Sequence, residues 1–162
     1  MGSNNTYIEN VRPINTYLKN ERLEKERKTF IKFKRSICCD GNPQEGDSVW
    51  NIIMDGPSDS PYIGGKFKIK IKFDKNYPTS KPVFEFLTPI CHINIDGTRI
   101  CLGSLGESYD QKSSIISLLS QIFMMLTSPN SESAFSQYKD LYIKNYTKYL
   151  STAREMTREY AK

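Results

Sequence analysis

Residues 66–73 place the strongest local constraint on the fold, because lysines and large apolar residues alternate there without interruption. The apolar residues share one side of an extended chain: Phe67, Ile69, Ile71 and Phe73. Successive side chains of a β-strand point to opposite faces, so a period of two predicts a strand with one buried and one hydrated face. Such a strand is typical of an antiparallel sheet that is covered on one side only.

The segments on either side of this strand predict the remainder of a small sheet. Apolar runs bounded by turn residues indicate further strands near Ile37, over 49–54 and over Val83–Phe86. The connections between them are short, and residues 56–61 and 64–65 supply glycine and proline for one of the turns. We therefore expect a four-stranded antiparallel meander.

Helical periodicity on both sides of the sheet predicts helices that are segregated from it. Strong helix formers follow a candidate N-cap at Asn15 or Thr16 and continue to about Phe33. After the sheet, apolar residues recur at helical spacing over 115–126, and a second run extends over 138–156. An N-terminal helix, a meander sheet and then C-terminal helices make up an α+β order.

The composition fits a single domain without a membrane segment. The chain has 162 residues, of which 38% are hydrophobic and 25% are charged, and this length suits one core. We expect residues 1–13 to form a flexible extension and residues 14–162 to form one monomeric domain. No apolar run approaches the roughly 20 residues that span a bilayer, and the N-terminus lacks the apolar region of a signal peptide. The four cysteines, two of them adjacent, do not form a disulfide pattern, which favours reduced thiols and a cytoplasmic or nuclear protein.

The positive charge of the chain is concentrated in residues 19–35. This segment holds eight Lys or Arg against three Glu, and the formal net charge of the whole chain is also +5. A basic segment on a neutral body indicates either a docking surface for an acidic partner or a solvated helix face. Nucleic acid is the weaker interpretation, because glutamates alternate with the basic residues and no aromatic residue precedes Phe30 among them.

Cys101 follows a turn-rich segment whose polar residues would lie near its thiol. The only histidine, His92, opens a turn-rich segment, Asn94 follows, and Cys101 stands between two apolar residues. A free thiol with a pKa of about 8.5 is a few per cent thiolate at neutral pH, which makes it a competent nucleophile. Buried packing is the alternative for a cysteine with apolar neighbours. A metal site built from His92, Cys91 and Cys101 lacks ligand-pair spacing, and we expect no metal.

Short motifs follow one another from the first predicted helix to the last. They are Arg22–Glu26, Trp50, 56–65, Tyr77-Pro78 with Pro82, His92-Ile93-Asn94, Ile100-Cys101-Leu102, Pro129-Asn130 and 153–157. In this order they resemble the motifs of the ubiquitin-conjugating enzymes, which have the UBC fold. The resemblance covers the chain from about Asn15 to Lys162.

The resemblance implies a transferase that works by thioester exchange. In this family the C-terminus of a modifier passes from an activating enzyme to a cysteine, and then to a substrate lysine or another cysteine. The activating enzyme uses the ATP, so we expect no cofactor on this chain. Cys101 matches the family's nucleophile. Asn94 matches the family's asparagine, whose amide stabilises an oxyanion or braces the loop.

Other positions take supporting roles by the same resemblance. His92 is expected to hold backbone groups of the loop. Tyr109 stands where tryptophan is usual and is expected to pack under the active-site loop. Ser133 occupies the position of a residue that helps the acceptor lysine, although a serine lacks the charge of an aspartate. Arg22 and Lys25 match contacts for the activating enzyme.

Several departures from the family pattern concern the active-site loop and the ligase surface. The segment from His92 to Cys101 is one residue shorter than usual, and Ile93 replaces a proline. Thr79 stands where many relatives have phenylalanine, and Gln111 and Lys112 lie in a segment that usually reads Ser-Pro-Ala. Since losing an apolar anchor removes much of the affinity of a small interface, we expect weak or absent binding to ordinary RING-type ligases.

Three functions remain open from the sequence. The first is conjugation of ubiquitin to substrate proteins. The second is conjugation of a ubiquitin-like modifier, although the insertion typical of SUMO-conjugating relatives is absent between Cys101 and Tyr109. The third is a catalytically inactive variant that acts as a binding module, which the altered His-Ile-Asn motif permits and the retained Cys101 disfavours. None of these readings includes a nucleic acid or membrane partner.

Overall fold

The computed structural model describes residues 14–162, with side chains from Thr16 onward. The expected flexible extension, residues 1–13, lies outside the described residues. The described part contains four α-helices and six strands, which are α1 (Ile14–Phe33), β1 (Cys39–Asp40), β2 (Val49–Asp55), β3 (Lys66–Lys72), β4 (Val83–Phe86), β5 (Ile95–Asp96), β6 (Arg99–Ile100), α2 (Ile115–Thr127), α3 (Lys139–Lys144) and α4 (Tyr146–Tyr160).

The first four strands form the predicted antiparallel meander in the order β1-β2-β3-β4. The first strand lies at Cys39–Asp40, so the prediction of a strand near Ile37 was wrong by about two residues. Ile37 ends a short 3-10 turn that continues α1. Cys38 then adopts a left-handed conformation with φ 54°, which ends the turn and turns the chain into the sheet.

The alternation in β3 has the predicted consequence for burial. Its apolar side chains are fully buried against the core, whereas Lys66, Lys68 and Lys72 are exposed on the other face. On that face Lys66 pairs with Asp55 of β2, and Lys72 pairs with Glu85 of β4. These cross-strand pairs keep the open side of the sheet charged and in contact with water.

The helices differ from the sequence prediction in two places. The helix α1 already includes Ile14, so Asn15 and Thr16 lie within it rather than at its N-cap. The apolar run over 138–156 forms two helices, not one, because Asn145 interrupts it. The side chain of Asn145 accepts a hydrogen bond from the Lys148 N–H at 3.0 Å and so caps α4.

The core lies between the buried face of the sheet and the helices. Trp50 of β2 packs at ring-centroid distances of 5.9 Å from Phe30 of α1 and 5.1 Å from Phe73. On the other side of the core, Tyr62 donates a hydrogen bond to the Cys91 carbonyl at 2.6 Å. Within residues 14–162, the helices are all too short or too polar to cross a membrane. The small β5–β6 hairpin follows the main sheet and leads to Cys101.

Candidate active site

The four cysteines differ in their access to solvent, and this difference separates a nucleophile from packing residues. Cys39 and Cys91 are buried, and burial raises the pKa of each thiol to about 12, so both stay protonated at neutral pH. Cys38 and Cys101 are partly exposed, and none of the four forms a disulfide. Cys101 also lines an open pocket of about 430 Å³. The partial exposure of Cys101 favours the nucleophile over buried packing.

The β5–β6 hairpin fixes the backbone that presents Cys101. Ile95 pairs with Ile100, and the turn between the strands uses Gly97 at φ 58°, a left-handed conformation that glycine adopts without strain. The Cys101 N–H donates to the Asn94 carbonyl at 2.8 Å. A 3-10 turn begins at Gly103, two residues further on. The main chain is therefore held on both sides of the thiol.

His92 holds two backbone groups and is fully buried. Its Nδ1 accepts a hydrogen bond from the Asn94 N–H at 2.9 Å. A neutral imidazole with an acceptor at Nδ1 carries its proton on Nε2, so Nε2 donates to the Met125 carbonyl, also at 2.9 Å. Desolvation lowers the pKa of His92 to about 4. The ring thus ties the loop to α2 as a neutral group, and these contacts favour the structural role over that of a general base.

Asn94 holds both backbone polar groups of one residue, Asn130, in a distant segment. Its side chain is fully buried, its Oδ1 accepts from the Asn130 N–H at 2.9 Å, and its Nδ2 donates to the Asn130 carbonyl at 2.8 Å. A third, longer bond of 3.4 Å joins Nδ2 to Ser133 Oγ. This arrangement favours the bracing role over the oxyanion role. To donate to an oxyanion, Nδ2 would have to exchange its bond to Ser133.

Tyr109 packs against the core, and its hydroxyl contacts the loop that precedes β4. Its hydroxyl donates to the Pro78 carbonyl at 2.8 Å. Partial burial raises the pKa of the hydroxyl, so it remains a donor throughout the physiological range. Ser133 is half-buried and reaches the site only through its long contact with Asn94.

The predicted partner contacts fall at the junction of α1 with the segment before α2. Arg22 donates to the Gln111 and Ser113 carbonyls, each at 2.9 Å, and pairs with Glu26 at 2.8 Å. Its guanidinium is therefore committed within the chain, and Lys25 is the exposed cation of the predicted pair. The side chain of Lys112 is also exposed.

Thr79 lies apart from these residues on the loop before β4. It is exposed and lines a pocket of about 330 Å³ with Leu18. Threonine ends at a methyl and a hydroxyl, so the side chain at position 79 does not fill this pocket as a phenylalanine ring would.

The sequence analysis assigned no role to four residues that the structure brings to the site or its supports. Lys81 and Glu107 line the same pocket as Cys101. Lys81 directly precedes Pro82, a residue of the quoted motifs, so its place was a usable signal. Glu26 and Asn130 stand in the quoted motifs, but their contacts could not be predicted because their partners lie far away in sequence.

Within residues 14–162, no three His, Cys, Asp or Glu side chains lie close enough together to hold a metal ion. Cys91 and His92 instead face into the core.

A family model described as ubiquitin-conjugating enzyme matches residues 22–157. The chain belongs to the ubiquitin-conjugating enzyme family. Among solved structures, it is similar to the E2 domain of a Toxoplasma gondii ubiquitin conjugating enzyme, with 28% sequence identity and a TM-score of 0.78. The similarity covers 88% of this chain and 98% of that chain. The predicted resemblance and the α+β UBC fold are both confirmed, and ubiquitin-conjugating enzymes act with a modifier, an activating enzyme and a ligase.

Proposed function

We propose that this ubiquitin-conjugating enzyme accepts ubiquitin as a thioester on Cys101 and passes it to a substrate lysine or to a ligase cysteine. The observation that supports this assignment most strongly is the contrast among the thiols. Cys101 occupies the family's motif position, is partly exposed and lines an open pocket, whereas burial raises the pKa of Cys39 and Cys91 to about 12.

The proposed reaction has two acyl transfers. In the first, the Cys101 thiolate attacks the carbonyl carbon of the thioester on the activating enzyme, and that enzyme's cysteine leaves as a thiolate. In the second, a neutral amine attacks the Cys101 thioester, a carbon–nitrogen bond forms, and the carbon–sulfur bond breaks. The amine proton goes to solvent or to the departing thiolate. ATP is consumed upstream, by the activating enzyme, so the chain itself needs no cofactor.

Loop bracing supports this chemistry by holding the thiol in place. Asn94 and His92 fix the segment before Cys101 through hydrogen bonds to Asn130 and Met125. Positioning of the nucleophile is worth several powers of ten when reacting atoms are held in contact. Ser133 lacks a negative charge, so we propose that it does not activate the acceptor amine electrostatically.

A charging assay tests the proposal. The protein is mixed with ATP, ubiquitin and the ubiquitin-activating enzyme, and samples are run on a gel with and without thiol. We expect an adduct that thiol removes, and with Cys101→Ser an adduct that resists thiol because an oxygen ester replaces the thioester. Cys38→Ser is the matched control, since it changes the other partly exposed thiol and should leave charging unchanged.

The other two functions give different results in the same assay. A conjugating enzyme for a ubiquitin-like modifier would form no adduct with ubiquitin but would form one with that modifier and its own activating enzyme. A catalytically inactive binding module would form none with any modifier while remaining folded. We further propose that the protein acts as a monomer in the cytoplasm or nucleus, where its thiols stay reduced.

A further inference from the structure

A cavity of about 460 Å³ lies beside α4 and shares no lining residue with the pocket of Cys101. We call it the α4 cavity. Residues 58–63, from the turn between β2 and β3, form one wall, and α4 forms the other. Its floor includes the buried side chains of Tyr62, Leu126 and Tyr149. A cavity of this size holds a bulky side chain together with part of the chain that carries it.

Hydrogen bonds within the protein already fix the floor and the turn of the α4 cavity. The Tyr62 hydroxyl donates to the Cys91 carbonyl at 2.6 Å and lies 3.3 Å from the Tyr149 hydroxyl. In the turn, the Ser60 hydroxyl donates to the Pro57 carbonyl at 2.7 Å and accepts from the Tyr62 N–H at 3.2 Å. A site that is formed in advance loses little conformational entropy when a ligand binds.

Apolar side chains continue outward from the floor to the rim of the α4 cavity. Ile63 is 59% exposed and Tyr146 is 52% exposed, and both line the cavity. The ring of Tyr146 lies 5.3 Å from that of Tyr142 and 6.1 Å from that of Tyr149, measured between centroids. An exposed tyrosine held between other rings binds at low entropic cost. The extended apolar rim suits a peptide that continues beyond the side chain it inserts.

The α4 wall carries positive charge that has no partner among the residues the structure describes. Arg154 lines the cavity, and Arg158 follows one helical turn later. Both are exposed, and neither forms an ion pair in residues 14–162, although Glu155 and Glu159 adjoin them in sequence. Like charges four residues apart on a helix repel each other, and carboxylates bound between them relieve that repulsion. Charge complementarity therefore favours an acidic partner along α4.

The wall formed by the turn has the opposite charge. Asp59 is exposed, lines the cavity and forms no ion pair within the described part of the chain. A ligand carboxylate beside Asp59 would be repelled, whereas one beside Arg154 would be attracted. The acidic residues of a ligand should therefore lie on one side of its inserted group only.

We propose that the α4 cavity binds a partner peptide that inserts one bulky apolar side chain and places a run of acidic residues along Arg154 and Arg158. The inserted side chain covers Tyr62, Leu126 and Tyr149, and it removes their remaining apolar surface from water. Each guanidinium takes a carboxylate through paired hydrogen bonds. Because the two cavities share no lining residue, the peptide leaves the pocket of Cys101 open.

The test uses the whole chain and the fluorescein-labelled peptide Ser-Gly-Trp-Gly-Glu-Glu-Glu, followed by fluorescence anisotropy. We expect saturable binding that weakens as salt is added. Arg154→Glu should weaken it about tenfold, whereas Lys148→Glu, the same charge change on α4 outside the cavity, should not. Ile63→Ser should weaken it about fivefold through lost apolar contact. Its matched control is Ile143→Ser, which changes an isoleucine of similar exposure outside the cavity.

These variants all replace exposed side chains, so their thermal unfolding midpoints should stay close to that of the unmodified protein. Arg154→Glu should also form the Cys101 thioester at the unmodified rate, since Arg154 lies outside the pocket of Cys101. A loss of peptide binding with charging intact separates this site from the proposed catalytic one.

Four results would overturn the inference. Equal binding of a probe with serine in place of tryptophan would show general attraction of polyanions and no use of the cavity. Equal binding of a probe with lysines in place of the glutamates would exclude an acidic partner. An equal loss of binding in Lys148→Glu would place the probe on another basic surface. Absence of saturable binding at millimolar protein would exclude the α4 cavity as a site for such peptides.

Discussion

At the scale of single residues, the loop before Cys101 depends on two buried polar side chains with fixed partners. His92 joins the loop to α2, and Asn94 joins it to the segment at Asn130. Buried polar groups cost free energy when they lose a partner, so the loop holds its shape only while both sets of hydrogen bonds are complete. Each side chain therefore affects stability as well as the position of the thiol.

We predict that His92 makes the protein less stable as the pH falls from about 6.5 to about 4. The folded-state pKa is about 4 against an ordinary value of 6.5, so in this window the unfolded chain binds a proton that the folded chain does not. The stabilising contribution of the neutral His92 is fully present above pH 6.5. As the pH falls through the folded-state pKa, the protein loses roughly 3 kcal/mol of unfolding free energy. Urea unfolding over this range measures it. His92→Asn serves as the control, and an equal pH dependence in that variant would contradict the prediction.

We predict that Asn94→Ala lowers the free energy of unfolding by about 1–3 kcal/mol, because it leaves the Asn130 N–H and carbonyl without side-chain partners. Transfer from Cys101 to lysine should slow in parallel. Ser133→Ala removes only the 3.4 Å contact and should change stability little. If Asn94→Ala slowed transfer at unchanged stability, the asparagine would act on the oxyanion and not as a brace.

At the scale of elements, a partly buried ion pair within α1 contacts the start of α2. Glu26 is 4% exposed, accepts from the Ile115 N–H at 2.8 Å, and pairs with Arg22. A carboxylate is a favourable partner for the unpaired N–H groups at a helix N-terminus. Arg22 extends the junction to the Gln111 and Ser113 carbonyls. The predicted activating-enzyme and ligase positions thus meet in one hydrogen-bonded unit.

We predict that Arg22→Ala destabilises the fold by about 1–3 kcal/mol, since it leaves the buried Glu26 carboxylate without its partly exposed cation. Adding Glu26→Ala should cost much less than the sum of the two single changes, because the residues act as a unit. Glu24→Ala, in the more exposed pair with Arg27, is the control and should barely move the unfolding midpoint. If the losses in unfolding free energy of the two single variants simply added in the double variant, Arg22 and Glu26 would act independently.

At the scale of the whole molecule, Thr79, one of the residues predicted to contact a ligase, lies on the loop before β4 beside Leu18 of α1. Leu18 is 52% exposed and lines a pocket of about 330 Å³ with Thr79. A small polar side chain at position 79 leaves this pocket without an aromatic anchor. Hot-spot aromatic residues supply most of the affinity of small interfaces, so the surface offers less to a partner that relies on one.

We predict that the protein binds a generic RING domain too weakly to saturate at micromolar concentrations. Thr79→Phe should strengthen binding by about tenfold, or roughly 1.4 kcal/mol, through burial of the ring. Calorimetric titration with the RING domain measures the dissociation constants of the unmodified protein and of Thr79→Phe. The control is Thr147→Phe, at an exposed position of α4. Micromolar affinity of the unmodified protein would contradict the prediction.

The sequence by itself determined the elements whose side-chain pattern depends only on local backbone geometry. The alternation in residues 66–73 specified the buried and exposed faces of β3, and the helical spacing over 115–126 specified α2. The ordered motifs from Arg22 to residue 157 indicated the family. Local pattern was less reliable at boundaries, where Asn145 divides one predicted helix into two and the first strand starts at Cys39.

Only the tertiary structure decided how distant segments meet around the site. It paired Asn94 with Asn130, joined Glu26 to the Ile115 N–H, and placed Lys81 at the pocket of Cys101. It also separated the buried Cys91 from the partly exposed Cys101, although each follows an isoleucine. Such contacts depend on strand register, loop geometry and packing over tens of residues. A residue's neighbours in sequence fix its face on a strand or helix, but they do not fix what the rest of the chain places opposite it.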